Sequence, residues 1–226
     1  MINLCVTACK RHDLLPGMLR SAFSGTVTPD ALYIVDQADR LDLINTALVI
    51  AAPHVPVYIM DLEEFRGSEA HAINWYFLNA PEIRVIAHED VIFAPTSLAK
   101  FVATSGDFII DNSLGVISYS DNCRKLIGLY DTAISPNFFT YVDVDYEDRL
   151  ALADIHPRVV YADISHLCNG TLKGTDAEDL PEFHRRTELA RVNYEKKWGR
   201  PVTPGGHTIG RGMWRQEQQR LWKKYL

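Results

Sequence analysis

Apolar residues in the first half of the chain alternate between two periods. Short runs rich in β-branched residues occur at 2–7, 31–35, 55–60 and 83–87, and a segment with helical spacing follows each of them. Strands that alternate with helices in this way are typical of a mostly parallel sheet with helices on both faces. The pattern therefore predicts an α/β fold. The helices of this half are predicted at 14–23, 41–51, 68–78 and 95–103.

The second half is less regular and ends in a predicted helical extension. A polar, acidic segment at 170–182, which contains glycine and proline, predicts a loop between the α/β region and this extension. A charged helix is predicted directly after the loop, at 183–198. The other elements predicted here are strands at 108–110, 116–119 and 158–162, and helices at 145–153 and 212–226.

Composition limits the class of protein. The chain has 226 residues and a formal net charge of −6, which suits one large core and argues against binding the nucleic-acid backbone, since that needs a basic face. No apolar run approaches the roughly 20 residues of a membrane span. The four cysteines, Cys5, Cys9, Cys123 and Cys168, lack paired spacing and predict free thiols. We therefore expect a soluble, cytoplasmic protein with no nucleic-acid partner.

The most informative segment is VIAHEDV at 85–91, where an apolar run ends at His88, Glu89 and Asp90. Because an unpaired carboxylate inside an apolar strand is very costly, this cluster is expected at the exit of the strand. Ligands of parallel sheets bind at that exit, so an imidazole and two acids there predict a cation site beside an anionic substrate. A polar strand end without a ligand is the alternative. A second acidic cluster, VDVDYEDRL at 142–150, supplies further carboxylates.

Five segments, in order, resemble the family 2 glycosyltransferases. The opening NLCVTACKRHDLLPGMLRS is similar to the first strand and helix of that family, and YIVDQAD is similar to its second strand, which ends in an Asp. GSEAHAIN resembles a helix start of the family, HEDV falls at the place of its DXD motif, and VDVDYEDRL resembles its EDxDLxxRL motif. His88 stands for the first acid of DXD, and Val142 for the first acid of EDxD. The resemblance covers roughly residues 1–170.

This resemblance implies the GT-A type of α/β fold, with a helical C-terminal extension added. We expect a catalytic domain at 1–170, made of a nucleotide-sugar-binding half at 1–90 and an acceptor-binding half at 91–170, and the extension at 171–226. The implied enzyme is an inverting, metal-dependent glycosyltransferase of the hexosyltransferase type. Its donor would be a nucleotide diphosphate sugar, with UDP as the expected nucleotide. Its acceptor would be a hydroxyl group of a glycan, a protein or a lipid-linked sugar.

The resemblance also implies a metal site. Asp90 is then a direct ligand of a divalent metal that bridges the donor phosphates as a Lewis acid. His88 faces the ribose and the metal waters, and Glu89 beside it either is a further cofactor-binding residue or points back toward the protein. His166 resembles the histidine that completes the metal shell in many relatives. Because imidazole suits Mn²⁺ better than Mg²⁺, we expect Mn²⁺ as the cofactor, with Mg²⁺ as the alternative.

The second acidic cluster is expected to supply the base. Asp143 matches the acid that the resemblance makes the general base, which takes the proton of the acceptor hydroxyl. Asp145 is expected to cap the start of a helix, and Arg149 to pair with it one turn later. Glu147 and Asp148 are expected on a solvated helix face.

For the nucleotide, the resemblance points to Thr7, Arg11 and Asp36, at the ends of the first two strands. The carboxylate of Asp36 can accept hydrogen bonds from a base or a ribose, whereas Arg11 has an equal claim to be a surface residue. Gly67 would let the backbone approach the ligand, and Asn74 lies two helical turns later on the same face. No GxGxxG follows the first strand, which argues against a dinucleotide-binding dehydrogenase.

The last segment, at 211–226, predicts a basic amphipathic helix with Trp214 and Trp222 on its apolar side. It packs on its own domain in one interpretation; in others it binds an anionic membrane surface or mediates self-association. Two rival functions stay open. One is a catalytically silent protein of the same fold that binds a nucleotide sugar or a glycan. The other is a sugar nucleotidyltransferase, which needs a glycine-rich, basic loop that is lacking at 1–15.

Overall fold

Nine strands and seven helices make up the part of the chain that the computed structural model describes, which is residues 1–8, 13–36, 41–61, 68–113, 115–136, 141–167 and 180–201. The strands are β1 (Ile2–Ala8), β2 (Ala31–Asp36), β3 (Val57–Asp61), β4 (Ile83–His88), β5 (Val91–Phe93), β6 (Phe108–Asp111), β7 (Val116–Tyr119), β8 (Arg158–Val160) and β9 (Ile164–His166). The helices are α1 (Leu15–Phe23), α2 (Leu41–Ala51), α3 (Glu69–Asn79), α4 (Ser97–Ala103), α5 (Asp121–Ile127), α6 (Val142–Leu152) and α7 (Leu180–Trp198).

Seven of these strands form one central sheet in the spatial order β3-β2-β1-β4-β7-β6-β8. β7 runs antiparallel to both of its neighbours, and the other pairings in this sheet are parallel. β5 and β9 form a separate antiparallel pair. The predicted mostly parallel α/β sheet is therefore confirmed, with one strand reversed.

Helices cover both faces of the sheet, because a mostly parallel sheet is apolar on each face. One buried cluster joins the sheet to α1, α2 and α4, and it includes Met18, Ala47 and Phe101. The other cluster joins the opposite face to α3, α5, α6 and α7, and it includes Phe77 and Tyr194. The expected placement of helices on two faces is thus confirmed, and α7 provides the helical extension.

The sequence interpretation missed β5, β9 and α5. The two strands have three residues each, which is too short for a period to show. The start of α5 carries a recognisable signal, since the hydroxyl of Ser120 accepts the N–H groups of Asn122 and Cys123. Two helix starts were also misplaced: α6 begins at Val142 rather than at 145, and α7 begins at Leu180, inside the predicted loop.

Two further predictions concern the thiols and the membrane. Cys5 and Cys123 are free and buried, as their spacing predicted, whereas Cys9 and Cys168 lie outside the described residues. The helix predicted at 212–226 lies outside them as well. Along the ranges given above, no helix combines the length and the apolar character needed to cross a bilayer.

The register of the parallel strands brings several predicted ligand residues to one edge of the sheet. β1 and β4 pair so that Thr7 lies beside His88, and β1 and β2 pair so that Ala8 lies beside Asp36. Ligands of open α/β sheets bind in the crevice outside such carboxyl ends of strands. Three strands that are distant in sequence therefore end at one candidate binding edge.

Arg84 fastens α3 and α5 to β4 from a position that is 2% exposed. Its guanidinium donates to the carbonyl oxygens of Tyr76 at 3.2 Å, Phe77 at 3.4 Å and Glu82 at 3.2 Å. It also pairs with the carboxylate of Asp121 at 2.7 Å. Because the last carbonyl groups of a helix have no partner within the helix, this buried side chain satisfies the end of α3.

We expect Arg84→Met to lower the free energy of unfolding by about 2–4 kcal/mol, because it leaves buried carbonyl groups without donors. The matched control is Arg124→Met. Arg124 lies 3.9 Å from the same Asp121 carboxylate but is partly exposed, so its loss should cost about 0.5 kcal/mol or less. Urea unfolding followed by circular dichroism measures both variants. Equal effects would contradict the structural role of Arg84.

Candidate metal and donor site

The pairing of β5 with β9 brings together two residues that are far apart in sequence. β4 ends at His88, a two-residue turn follows, and β5 then pairs with β9 so that Val91 faces His166. The ladder continues one step further, since the N–H of Leu167 donates to the carbonyl oxygen of Asp90 at 3.0 Å. Backbone hydrogen bonds therefore place Asp90 and His166 side by side at the carboxyl edge of the central sheet.

His88, Asp90 and His166 form a group that could hold a metal ion. Each offers one ligand atom, and these atoms lie within 4.8 Å of one another. The rings of the two histidines meet edge to face, with centroids 5.2 Å apart. Asp90 is buried, at 3% exposed, and His88 is exposed to solvent. The group thus has a buried carboxylate and an open side.

The hydrogen bonds of this group leave a place for a cation. Nδ1 of His166 lies 3.1 Å from the carbonyl oxygen of Ser113, which can only accept, so Nδ1 carries the proton of this contact. Nε2 of the same ring lies 3.2 Å from Oδ1 of Asp90. That oxygen is buried and makes no hydrogen bond other than the one that a protonated Nε2 would donate. A proton or a metal ion between the nitrogen and the oxygen would remove the unfavourable contact, so the residues fit a divalent cation.

The pKa values of the three side chains follow from burial and mutual charge. Burial lowers the pKa of His166, but its contacts with Asp90 and the Ser113 carbonyl outweigh that effect, so the pKa is raised. Burial raises the pKa of Asp90, and the two histidines more than compensate, so it is lowered. Protein atoms around His88 desolvate its charged form and lower its pKa, and the charge on His166 adds to this decrease. The carboxylate is therefore ionised at neutral pH.

Asp143 lies within electrostatic range of this group. Its carboxylate acts on His88 by Coulomb attraction, which opposes the decrease in the histidine pKa. Asp143 is in the first turn of α6, and its Oδ1 accepts the N–H of Val144 at 2.8 Å. The turn before it is made by Tyr141, whose φ of 67° is the left-handed conformation that side chains rarely adopt. Such strain is common near functional sites.

Asp145 has a different structural role from the predicted helix cap. It is fully buried in α6, at 0% exposed, and the expected contact with Arg149 is present at 3.1 Å. The indole N–H of Trp198 also donates to it at 2.9 Å, and the ammonium of Lys197 lies 2.7 Å away. Trp198 and Lys197 belong to α7, so Asp145 ties α7 to the helix that carries Asp143.

Asp148 corrects the prediction of a solvated helix face. It is 2% exposed, accepts a hydrogen bond from the hydroxyl of Tyr194 and pairs with Arg200 at 2.9 Å. Glu147, the other residue predicted there, is half-buried. The sequence pattern of α6 failed here because the partner helix α7 covers a face that would be polar in isolation.

Of the remaining predicted ligand residues, some lie at the candidate edge, others are buried or bonded to the backbone elsewhere, and two lie outside the described residues. Thr7 lies at the edge described above, and its hydroxyl bonds to that of Tyr76 at 3.1 Å. Both polar atoms of the Asn74 amide bond to the backbone of Tyr130, at 2.7 and 3.0 Å, so we leave Asn74 out of the proposed donor site. Glu89 is buried, at 3% exposed. Asp36 ends β2 at the same edge, and Arg11 and Gly67 lie outside the described residues.

Sequence reasoning missed three residues at and just after the end of β6, two of which contact the histidines of the metal group. Asp111 ends β6, Ser113 supplies the carbonyl oxygen for His166, and the carbonyl oxygen of Gly115 accepts the N–H of His88 at 3.0 Å. The sequence DNSLG between two strand candidates was a turn signal. Nothing in it indicated which strand ends the turn would face.

Known sequences and known structures give different results for this chain. No model of a protein family matches it, and no curated protein sequence matches it. Solved structures do. One similar solved structure is the inositol-1-phosphate CTP transferase from T. maritima. It is 9% identical with a TM-score of 0.50, and the match covers 85% of this chain and 96% of that chain. At such low identity, similarity shows the fold alone.

The glycosyltransferase structures match more closely. The mannosyltransferase PcManGT from Pyrobaculum calidifontis, in complex with GDP-Man and Mn²⁺, is 15% identical with a TM-score of 0.57, covering 85% of this chain and 71% of that one. Glucosyl-3-phosphoglycerate synthase from Mycobacterium tuberculosis, in complex with Mn²⁺ and UDP, is 14% identical with a TM-score of 0.56, covering 90% and 81%. TarS from S. aureus is 12% identical with a TM-score of 0.55, and the match covers 85% of this chain and 64% of that one. The chain therefore has the GT-A-like α/β fold of these glycosyltransferases.

Proposed function

We propose that this protein is an inverting, metal-dependent glycosyltransferase that moves a sugar from a nucleotide diphosphate donor, with UDP as the first nucleotide to test, to a hydroxyl acceptor. The observation that carries the proposal is the group of His88, Asp90 and His166, whose ligand atoms lie within 4.8 Å of one another, with the buried Oδ1 of Asp90 3.2 Å from Nε2 of His166. A cation is the natural occupant of such a place. The GT-A-like fold makes a nucleotide sugar the natural anionic partner.

His88, Asp90 and His166 would hold the cation. When bound, it would act as a Lewis acid that balances the charge appearing on the diphosphate as the glycosidic bond breaks. Two imidazoles in the ligand set favour Mn²⁺ over Mg²⁺, since Mg²⁺ prefers oxygen ligands in a strict octahedron. The Mn²⁺ in the solved structures of the mannosyltransferase and the synthase supports the same choice. This assigns His88 a ligand role in addition to the expected contact with the ribose.

Asp143 would act as the general base. Its carboxylate takes the proton of the acceptor hydroxyl while the acceptor oxygen bonds to the anomeric carbon and the nucleotide diphosphate leaves with the electron pair of the broken bond. One such displacement inverts the anomeric configuration. The Coulomb interaction of Asp143 with His88 supports this role, because base and metal group must serve one cleft.

The donor would lie along the carboxyl edge of β1, β2 and β4. Thr7, Asp36 and Glu89 are the described residues of the proposed nucleotide site, and Arg11 and Gly67 complete it in the sequence-based proposal. Residues 1–90 would form the donor half and residues 91–170 the acceptor half. The extension at 171–226 would support the acceptor half, since α7 is tied to α6 through Asp145.

A panel of UDP, GDP and dTDP sugars with Mn²⁺ tests the proposed function. We expect at least one donor to raise the melting temperature only when Mn²⁺ is present, because a ligand that prefers the native state stabilises it. The same donor should release nucleotide diphosphate, measured with a coupled assay. If donor binding is found with no release for any sugar or acceptor class, the protein is a silent nucleotide-sugar binder, and the enzymatic proposal fails.

The variant Asp143→Asn tests the base. We expect kcat to fall by about 10²–10⁴ because the amide cannot take a proton, while the donor Kd stays within about twofold of wild type. Asp154→Asn is the matched control, since that exposed carboxylate lies just past the other end of α6. Transfer assays and donor titrations separate the two effects. Normal turnover in Asp143→Asn would remove Asp143 from the mechanism.

The pH dependence of Mn²⁺ affinity tests the ligand set. A metal ligand must be deprotonated, so affinity should fall as the pH falls through the raised pKa of His166, by about tenfold per pH unit, and more steeply once His88 also protonates. Electron paramagnetic resonance of free Mn²⁺ measures it. Asp90→Asn should weaken binding at every pH. Asp163→Asn should not, since that exposed carboxylate is near β9 but outside the group. A flat profile from about pH 8 to about pH 5 would exclude histidine ligands.

A further inference from the structure

Asp111 is a buried carboxylate that the proposed reaction does not use. It is 0% exposed at the end of β6. One of its oxygens accepts the backbone N–H of Ser113 at 2.8 Å and also the hydroxyl of Ser113. Its other oxygen accepts the N–H of Ala162 at 3.4 Å. Burying a carboxylate is costly unless its hydrogen bonds are satisfied. Here those bonds fix the backbone of the turn between β6 and β7.

That turn contacts both histidines of the proposed metal group through its backbone. The carbonyl oxygen of Ser113 accepts Nδ1–H of His166 at 3.1 Å. The carbonyl oxygen of Gly115 accepts the backbone N–H of His88 at 3.0 Å. A hydrogen bond from one ring nitrogen of a histidine determines which of the two nitrogens carries the proton. The Ser113 contact therefore leaves Nε2 of His166 to face Asp90.

Gly115 lets the turn approach this close. A Cβ atom at this position would overlap Cγ1 of Val91 and would lie 2.9 Å from Cγ of His166. Two nonbonded carbon atoms repel each other at separations below about 3 Å, so the ring or the turn would have to move. The ring position of His166 thus depends on the absence of a side chain at residue 115.

We propose that Asp111 and Gly115 are positioning residues that hold His166 in its Nδ1–H form, with Nε2 aimed at the cation place beside Asp90. Asp111 acts by fixing the carbonyl oxygen of Ser113, and Gly115 acts by leaving room for the ring. This inference rests on the proposed function, because it assigns the turn to the metal site of that function. A partner that orients a ligand in this way typically changes metal affinity by about 10–100-fold.

Two readouts test the inference, and one of them needs no metal. In the metal-free protein at alkaline pH, ¹⁵N chemical shifts of the His166 ring should show the Nδ1–H form. In Asp111→Asn, where an amide N–H would face the N–H of Ala162, the shifts should indicate a mixture of tautomers. Electron paramagnetic resonance should show Mn²⁺ binding about tenfold weaker or more in Asp111→Asn and in Gly115→Ala.

Control variants separate positioning from folding. Gly17→Ala in α1 should keep wild-type Mn²⁺ affinity, since its Cβ would meet only the end of Ile92 at 3.7 Å. Because Gly115→Ala overlaps Val91 as well as His166, the double variant with Val91→Ala removes the overlap with residue 91 while keeping the overlap with the ring. It should still bind Mn²⁺ weakly. Wild-type affinity in the double variant would show that Gly115 acts only through Val91 and would overturn its assignment.

The outcomes distinguish this inference from the proposed function. If the wild-type protein binds no Mn²⁺, the metal site of the proposed function fails, and the tautomer of His166 alone decides the role of the turn. An Nδ1–H form that is lost in Asp111→Asn supports the positioning role. An Nε2–H form in the wild-type protein overturns it. If the wild-type protein binds Mn²⁺ and both turn variants bind it equally well, the inference is wrong and the proposed function stands.

Discussion

The short pairing of β5 with β9 is the constraint on which the candidate site depends. The central sheet positions His88 at the end of β4, but Asp90 lies beyond a turn and His166 lies in a later part of the chain. Three residue pairs between β5 and β9, and one further hydrogen bond from Leu167 to Asp90, bring Asp90 and His166 together. The metal group therefore spans two sheets, and its geometry depends on how closely the two sheets approach.

The sequence predicted the large elements, and several of the predicted ligand residues lie at one edge of the sheet. Periodic apolar runs of five or more residues indicated β1 to β4 correctly, because burial on both faces of a parallel sheet leaves a clear pattern. The pattern could not show β5 and β9, which are too short. It also could not show that Asp148 is buried or that Asn74 bonds to Tyr130, since both depend on elements distant in sequence. Local spacing carries no information about such partners.

The composition of the metal group affects its chemistry. A pair of carboxylates would neutralise a divalent cation, whereas one carboxylate and two neutral imidazoles leave a net charge of one. In the proposed function, that remaining charge would be available to a diphosphate, and the lower negative charge would reduce repulsion between the donor and the site. Val142 acts in the same direction, since it stands where the resembled motif carries an acid and is fully buried beside Asp143. The two departures from the motif are thus consistent with each other.

The ties between α6 and α7 have a consequence for the order of assembly. Asp145 and Asp148 lie on α6, yet Tyr194, Lys197 and Trp198, which satisfy them, belong to a helix that the ribosome makes later. Until those side chains emerge, the two carboxylates favour contact with water over burial. The full burial of Asp145 and Asp148 therefore requires that α7 has been synthesised and docked.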